Sequence, residues 1–215
     1  PQEDLRALAD ALQLGRPPRI MECFDISNIS STHIVASMVR FKDGVPDRAN
    51  YRRYRIRGTP NQDDFASMAE VVRRRYSRVL REAHPEKDPV EKRDPGTIDY
   101  SPEFSQESPA QILQRAALRE DQPSTLPDLI IVDGGKGQLN AAYAALETVG
   151  LSNLVAIGLA KKEELVFTRD SNEPLALDTH GNALRLLQRI RDEAHRFAIT
   201  FHRQSRRKRD LQSEL

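Results

Sequence analysis

At 215 residues with 38% apolar content, the chain can bury a core of ordinary size, and its length suits one domain with room for an insertion. Its 33 basic and 32 acidic residues nearly cancel to a formal charge of +1, which excludes whole-molecule steering onto a polyanion and leaves any nucleic-acid contact to local basic patches. The single cysteine, Cys23, excludes an internal disulfide, and no apolar run has membrane-spanning length or the pattern of a secretory leader, so a cytoplasmic setting with no membrane contact is expected.

Leu5, Leu8 and Leu12 at helical spacing predict a short helix stopped by Gly15 and Pro17-Pro18. Residues 1–18 read as a linker helix ahead of a domain at 19–205, and residues 206–215 read as a basic tail. "RIMECFDIS" is a mostly apolar run ending in Asp25, and "HIVASMVRF" follows with the mixed pattern of a second strand. Asp43-Gly44 tolerates the positive φ of a tight hairpin, so "NYRRYRIR" should return antiparallel and complete a three-stranded meander.

"TPNQDDFASMAEVVRRRYSRVL" places Phe65, Met68, Ala69, Val72, Tyr76 and Val79 on one helical face, with Arg73, Arg74, Arg75 and Arg78 mostly elsewhere. Thr59, Pro60 and Gln62 would start it as cap, first turn and capping box. A polar, proline-rich tract at about 82–126 reads as a surface insertion with a short helix around "AQILQRAALRE". Order resumes with "DLIIVDGGKGQLNAAYAALETVGL" as strand, glycine turn and helix. "LVAIGLA" is a further buried strand, and "ELVFT" with "PLALD" a small hairpin. A long helix with a basic end, "ALRLLQRIRDEAHRFAITFHRQSRRKR", closes the chain. This order predicts an α/β fold, a mixed sheet of meander plus parallel strands flanked by helices, as in the RNase H-like architecture, although other α/β folds share the pattern.

"MECFD" and "LIIVD" each close an apolar run on a carboxylate. If the two strands are parallel neighbours, Asp25 and Asp133 emerge together at the sheet's carboxyl edge. Two close carboxylates repel unless a divalent cation bridges them, and oxygen ligands suit magnesium or manganese. Each aspartate taken alone reads first as a turn residue. On the closing helix Leu186, Leu187, Ile190, Ala194, Phe197, Ala198 and Phe201 share one arc, with Arg191, His195 and His202 on its border. There His195 has reach toward the sheet edge as a third metal ligand, or else bonds Asp192 on the helix surface. "DGGKGQ" fails the spacing of a nucleotide-binding phosphate loop. Its free N–H groups and Lys136 suit a phosphate beside the metal, and a plain strand-to-helix turn accounts for the glycines alone.

"CFDIS", "VASMV", "YRRYRI", "DDFASMAEVVRRRY", "DLIIVDGGKGQL", "IGLAK" and "LRLLQRIRDEAHRFAITFHR" together closely resemble the C-terminal endonuclease domain of the UvrC family, the incising component of the bacterial nucleotide excision repair excinuclease. The resemblance implies an RNase H-like fold that cuts damaged double-stranded DNA on the 5′ side of a lesion. It also implies an Argonaute-like metal site of Asp25, Asp133 and His195, holding Mn2+ or Mg2+. Asp64 matches a position linked to incision, and reads equally as a first-turn acid of a helix. UvrB is the implied partner, through a segment outside this chain, which accordingly reads as a fragment. The insertion and "DTHGN" ahead of the closing helix depart from the family pattern.

On this reading Arg53, Arg74, Lys136, Lys161 and Arg191 are the candidates for DNA phosphates, which orient a duplex without reading its sequence. The alternative is a non-catalytic RNase H-like module that docks DNA or a repair partner. Such a module is expected to have lost a metal ligand, whereas all three stand here.

Overall fold

The computed structural model describes residues 1–30, 33–57, 63–83, 97–99 and 126–213, apart from the side chains of 29–30, 97–99, 202–209 and 213. β1 (Ile20–Ser30) pairs antiparallel with β2 (His33–Lys42). Asp43 and Gly44, at φ 53° and 81°, both adopt the left-handed backbone that a two-residue hairpin requires, and they lead into the short β3 (Val45–Pro46). A 3-10 turn at Arg48–Asn50 then delivers β4 (Arg52–Arg55) to the free edge of β2. The expected meander therefore forms, with β3 interposed.

After α2 (Asp64–Ala83) come β5 (Thr97–Asp99), β6 (Leu129–Asp133), α3 (Lys136–Thr148), β7 (Ala156–Leu159), β8 (Val166–Phe167) and α4 (Asn182–Ser213). The strands form one mixed sheet in the order β5-β4-β2-β1-β6-β7-β8, with β3 beside β2. β1 is antiparallel to β2 and parallel to β6, so the sheet changes sense at β1. The hairpin expected from "PLALD" reduces to a single bridge between Leu175 and Val166.

Strand alternation sorts the core into two layers. Met21, Cys23, Leu129, Ile131 and Ile157 face α1 (Gln2–Ala11) and α4, whereas Phe24, Ile130, Val132 and Ala156 face α2 and α3. The whole arc expected on the closing helix, from Leu186 to Phe201, is buried. This is the mixed sheet between helices of an RNase H-like α/β fold.

Three expectations need correction. α1 is not a tether: Leu5 and Leu8 are in the core, and Asp4 accepts a hydrogen bond from Arg189 of α4 at 3.0 Å. The insertion is not only surface decoration, because β5 lies within it and extends the sheet beside β4, with Ile98 opposite Arg53. The basic end is no separate tail, since the backbone of α4 continues helical to Ser213. The helix expected around "AQILQRAALRE" and the caps at Thr59, Pro60 and Gln62 lie outside the described residues. Asp63 accepts the N–H of Ala66 at 2.7 Å and so caps α2 itself.

A charged cluster is buried on the α2 side of the sheet. Glu22, 0% exposed, accepts hydrogen bonds from Arg40 and Arg75 at 2.8 Å each and from the Tyr76 hydroxyl at 2.9 Å. Burial pushes the Glu22 carboxyl up, but Arg75 and then Arg40 outweigh it and hold the group below its ordinary value.

Candidate active site

The register of β1 against β6 pairs Phe24 with Val132, so Asp25 and Asp133 come next, level with each other on adjacent strands. Alternation turns both carboxylates to the face of Cys23 and Ile131, which α4 covers. On α4, Ala194 and Phe197 are buried, and His195 between them has its side chain 49% exposed. Its Nδ1 stands 3.2 Å from Asp25 Oδ2 and 3.9 Å from Asp133 Oδ2. One ligand atom from each of the three residues lies within 4.8 Å of the other two.

The two carboxylates crowd negative charge into a buried spot. Burial first, and the charge of Asp133 second, push the Asp25 carboxyl up to about 6, against the opposing pull of His195 and Lys161. Asp25 Oδ2 and Asp133 Oδ1 are buried; His195 Nδ1 faces the first at 3.2 Å, and no described group donates to the second. A buried polar atom left without a partner costs about 1–3 kcal/mol. Two buried carboxylates beside an imidazole match the mixed oxygen and nitrogen donor set of a divalent ion.

A cleft of about 400 Å³ opens over the aspartates, walled by Asp64 from α2, by Gly135 and Gln138 at the start of α3, and by Lys161 and Lys162. Asp64 is exposed in the first turn of α2, where a carboxylate also favours the helix N-terminus. Its approach depends on Gly137. A Cβ there would lie 2.3 Å from the ring of Phe65, so a glycine lets Phe65, and with it the first turn of α2, close on α3. Gly137→Ala is therefore expected to displace Phe65 and the first turn of α2, with a stability loss of about 1–2 kcal/mol. Adding Phe65→Ala should restore the melting temperature. Melts of the single and double variants check this, and additive losses would refute the contact.

The phosphate candidates separate. Arg53 is 2% exposed, donates to the Phe197 carbonyl at 2.7 Å and stacks on the Phe197 ring at 3.6 Å. Arg74 is 6% exposed and donates to the Arg55 carbonyl and to Glu70. Both guanidinium groups hold the fold together, and neither is offered to a phosphate. Lys136 donates to the carbonyls of Thr168, Arg169 and Ser171, so it fastens the segment after β8 to α3 and does not line the cleft. Arg191 pairs with Glu164 at 3.2 Å. Lys161 alone of the five stands in the cleft with its side chain 65% exposed, its Nζ 3.7 Å from Asp133 Oδ2. Lys162, Glu164 and Glu22 escaped the sequence reading, and only the acid inside the apolar run "MECFD" was a signal for the last.

Among the described residues no helix is long and apolar enough to cross a membrane. The profile of the UvrC RNAse H endonuclease domain matches residues 9–199. The UvrABC system protein C of Methanospirillum hungatei is 42% identical over 95% of this chain and 31% of its own length, and that of Gloeobacter violaceus 43% identical over 100% and 28%. The chain thus spans about three-tenths of the length of these curated relatives. A crystal structure of Ciona intestinalis endonuclease V, in complex with a 24mer DNA containing an inosine followed by a ribo-adenosine, aligns with a TM-score of 0.32 and 19% identity. It covers 67% of this chain and 46% of that one, too slight a likeness to bear on the site. From Ala9 to Ile199 the match takes in both strand-end aspartates, the glycine turn and the closing histidine, and the chain belongs to the family of UvrC RNase H endonuclease domains.

Proposed function

We propose that the chain is a divalent-metal-dependent DNA endonuclease domain that makes the 5′ incision beside a lesion, in an excinuclease assembly with UvrB. The observation that carries the reading is the buried pair of Asp25 and Asp133 carboxylates, with His195 within reach of both and no described group donating to Asp133 Oδ1. A docking platform has no use for such a pair, which destabilises the fold unless a cation is held there. Asp25, Asp133 and His195 would hold the ion, Mn2+ or Mg2+. When bound, it would supply activation of a water and stabilisation of charge on the leaving 3′ oxygen.

The chain's own residues position the substrate. The cleft, about 400 Å³ and lined by Asp64, Lys161 and Lys162, has room for a phosphodiester. Lys161 neutralises charge beside Asp133 and is exposed enough to turn to a phosphate oxygen. Such contacts orient the backbone without reading bases, as suits an enzyme directed to lesions in any sequence.

The test is manganese binding to the chain, followed by magnetic resonance of the ion, together with a cleavage titration with both metals. His195→Ala should weaken binding at least about 10-fold, the scale of one lost ligand interaction, and remove most cleavage. His195→Asp should keep some activity and shift preference toward magnesium, a harder ion that favours oxygen. Binding and cleavage by His195→Ala equal to wild type would make the histidine a mere border residue of α4.

A further inference from the structure

The segment Lys161-Lys162-Glu163-Glu164 joins β7 to β8, closed by the Ala160 N–H donating to the Leu165 carbonyl at 3.0 Å. Glu163 and Glu164 adopt φ of 66° and 51°. Left-handed backbone costs a residue with a Cβ about 1–2 kcal/mol, so tight hairpins usually place glycine or asparagine there. With two consecutive glutamates there, a side-chain contact must hold the turn against this cost.

Glu164 does so. Its carboxylate accepts hydrogen bonds from Gln188 Nε2 and from Arg191 Nη2, the latter at 3.2 Å. Gln188, Arg191 and His195 follow one another at three and four residues along α4 and so share one stripe of the helix. The stripe that presents His195 to the aspartates therefore also anchors the turn. The turn in its place sets Lys161 3.7 Å from Asp133 and Lys162 on the cleft wall, both exposed. Asp133 is buried but the Lys161 side chain is 65% exposed on a flexible stem, so its ammonium can turn outward from Asp133 to a phosphate oxygen.

We propose that this turn is a phosphate-binding subsite of the cleft, with Lys161 and Lys162 as its two cations and Glu164 as the positioning residue that locks them in register with Asp133 and His195. It rests on the endonuclease reading and deepens it. Arg191 then acts through Glu164 and not on DNA.

The test measures binding of a short labelled duplex to the chain in EDTA, where no cleavage occurs, as a function of salt. Replacing both lysines by alanine should lower the slope of log affinity against log salt by about 2, one for each lost phosphate contact. Glu164→Ala should lower it by at least half as much, and adding Glu164→Ala to the double lysine variant should change nothing further. Glu164→Gly removes the clamp while relieving the left-handed backbone, so it should match Glu164→Ala without a folding defect. Glu164→Gln, still an acceptor for Arg191, should stay near wild type. An unchanged slope in the lysine variant, or Glu164 variants that match wild type or add fully to the lysine losses, would overturn the proposal. If the wild-type chain cuts DNA with manganese while those slopes stay flat, only the subsite falls. A wild type that neither cuts DNA nor binds it in a salt-sensitive way overturns the subsite and the endonuclease reading together.

Discussion

Asp25→Asn should raise the melting temperature of the metal-free protein at pH 7.5 by about 5–10 °C and lower cleavage by a factor on the order of 1,000 or more. Burial and Asp133 push the Asp25 carboxyl up to about 6 in the folded chain, from an ordinary value of 3.8. Between those values the folded state holds a proton that the unfolded chain has released. This contribution is therefore complete below about pH 4, falls as pH rises, and is gone above about pH 6, a loss of about 3 kcal/mol. Burial is the larger cause and the charge of Asp133 the second, and an asparagine avoids both because it never ionises. Its melting temperature should be flatter across this window, while wild type in EDTA declines. Melts from pH 4.5 to 8, paired with cleavage in manganese, check both halves. A variant that melts at or below wild type at pH 7.5 would show that the two carboxylates do not strain the metal-free fold.

Asp25 and Asp133 were legible because a strand carries its information in a period of two. Two apolar runs ending in acid, once parallel and in register, have no other way to place their last side chains than together. His195 was legible as a border residue because the apolar arc of α4 is complete around it. The basic residues were not legible for a corresponding reason. Whether an arginine faces solvent or the interior depends on its partner, and the partners here are distant in sequence: Arg53 finds the Phe197 carbonyl, and Arg75 finds Glu22. Read by helical period alone, "VVRRRY" is a polar flank, yet Arg74 and Arg75 are buried. Lys136 misled differently, because a lysine in a glycine turn suggests an anion, whereas three carbonyls after β8 take its ammonium. The turn carrying Lys161 and Lys162 was hidden because "KKEE" looks like an exposed charged loop, and only its backbone angles and the contacts of Glu164 mark it as constrained.

Glu22→Ala should be the most damaging substitution away from the cleft, a loss of about 3–5 kcal/mol, a large share of the roughly 5–15 kcal/mol that stabilises an ordinary domain. The carboxylate is 0% exposed between Arg40 and Arg75, so its removal strands Arg75, itself 1% exposed, inside the apolar layer of α2 and α3. Arg40 is less stranded, with Asp47 at 3.4 Å. Because Glu22 is held below its ordinary value, its stabilising effect is present above about pH 4.5 and lost as the pH falls further, a window below that of Asp25. The pair also ties β1, three residues before Asp25, to α2, whose first turn carries Asp64. Replacing the ions together by apolar residues, as in Glu22→Leu with Arg75→Met, should therefore recover much of the lost stability, since well-packed carbon substitutes for a buried ion pair better than for half of one. The measurement is a double-mutant cycle by urea unfolding, with cleavage assayed below the melting temperature of each variant. If Glu22→Ala unfolds within about 1 kcal/mol of wild type, water or a rearranged Arg75 has satisfied the site, and the network contributes little to holding α2 on β1.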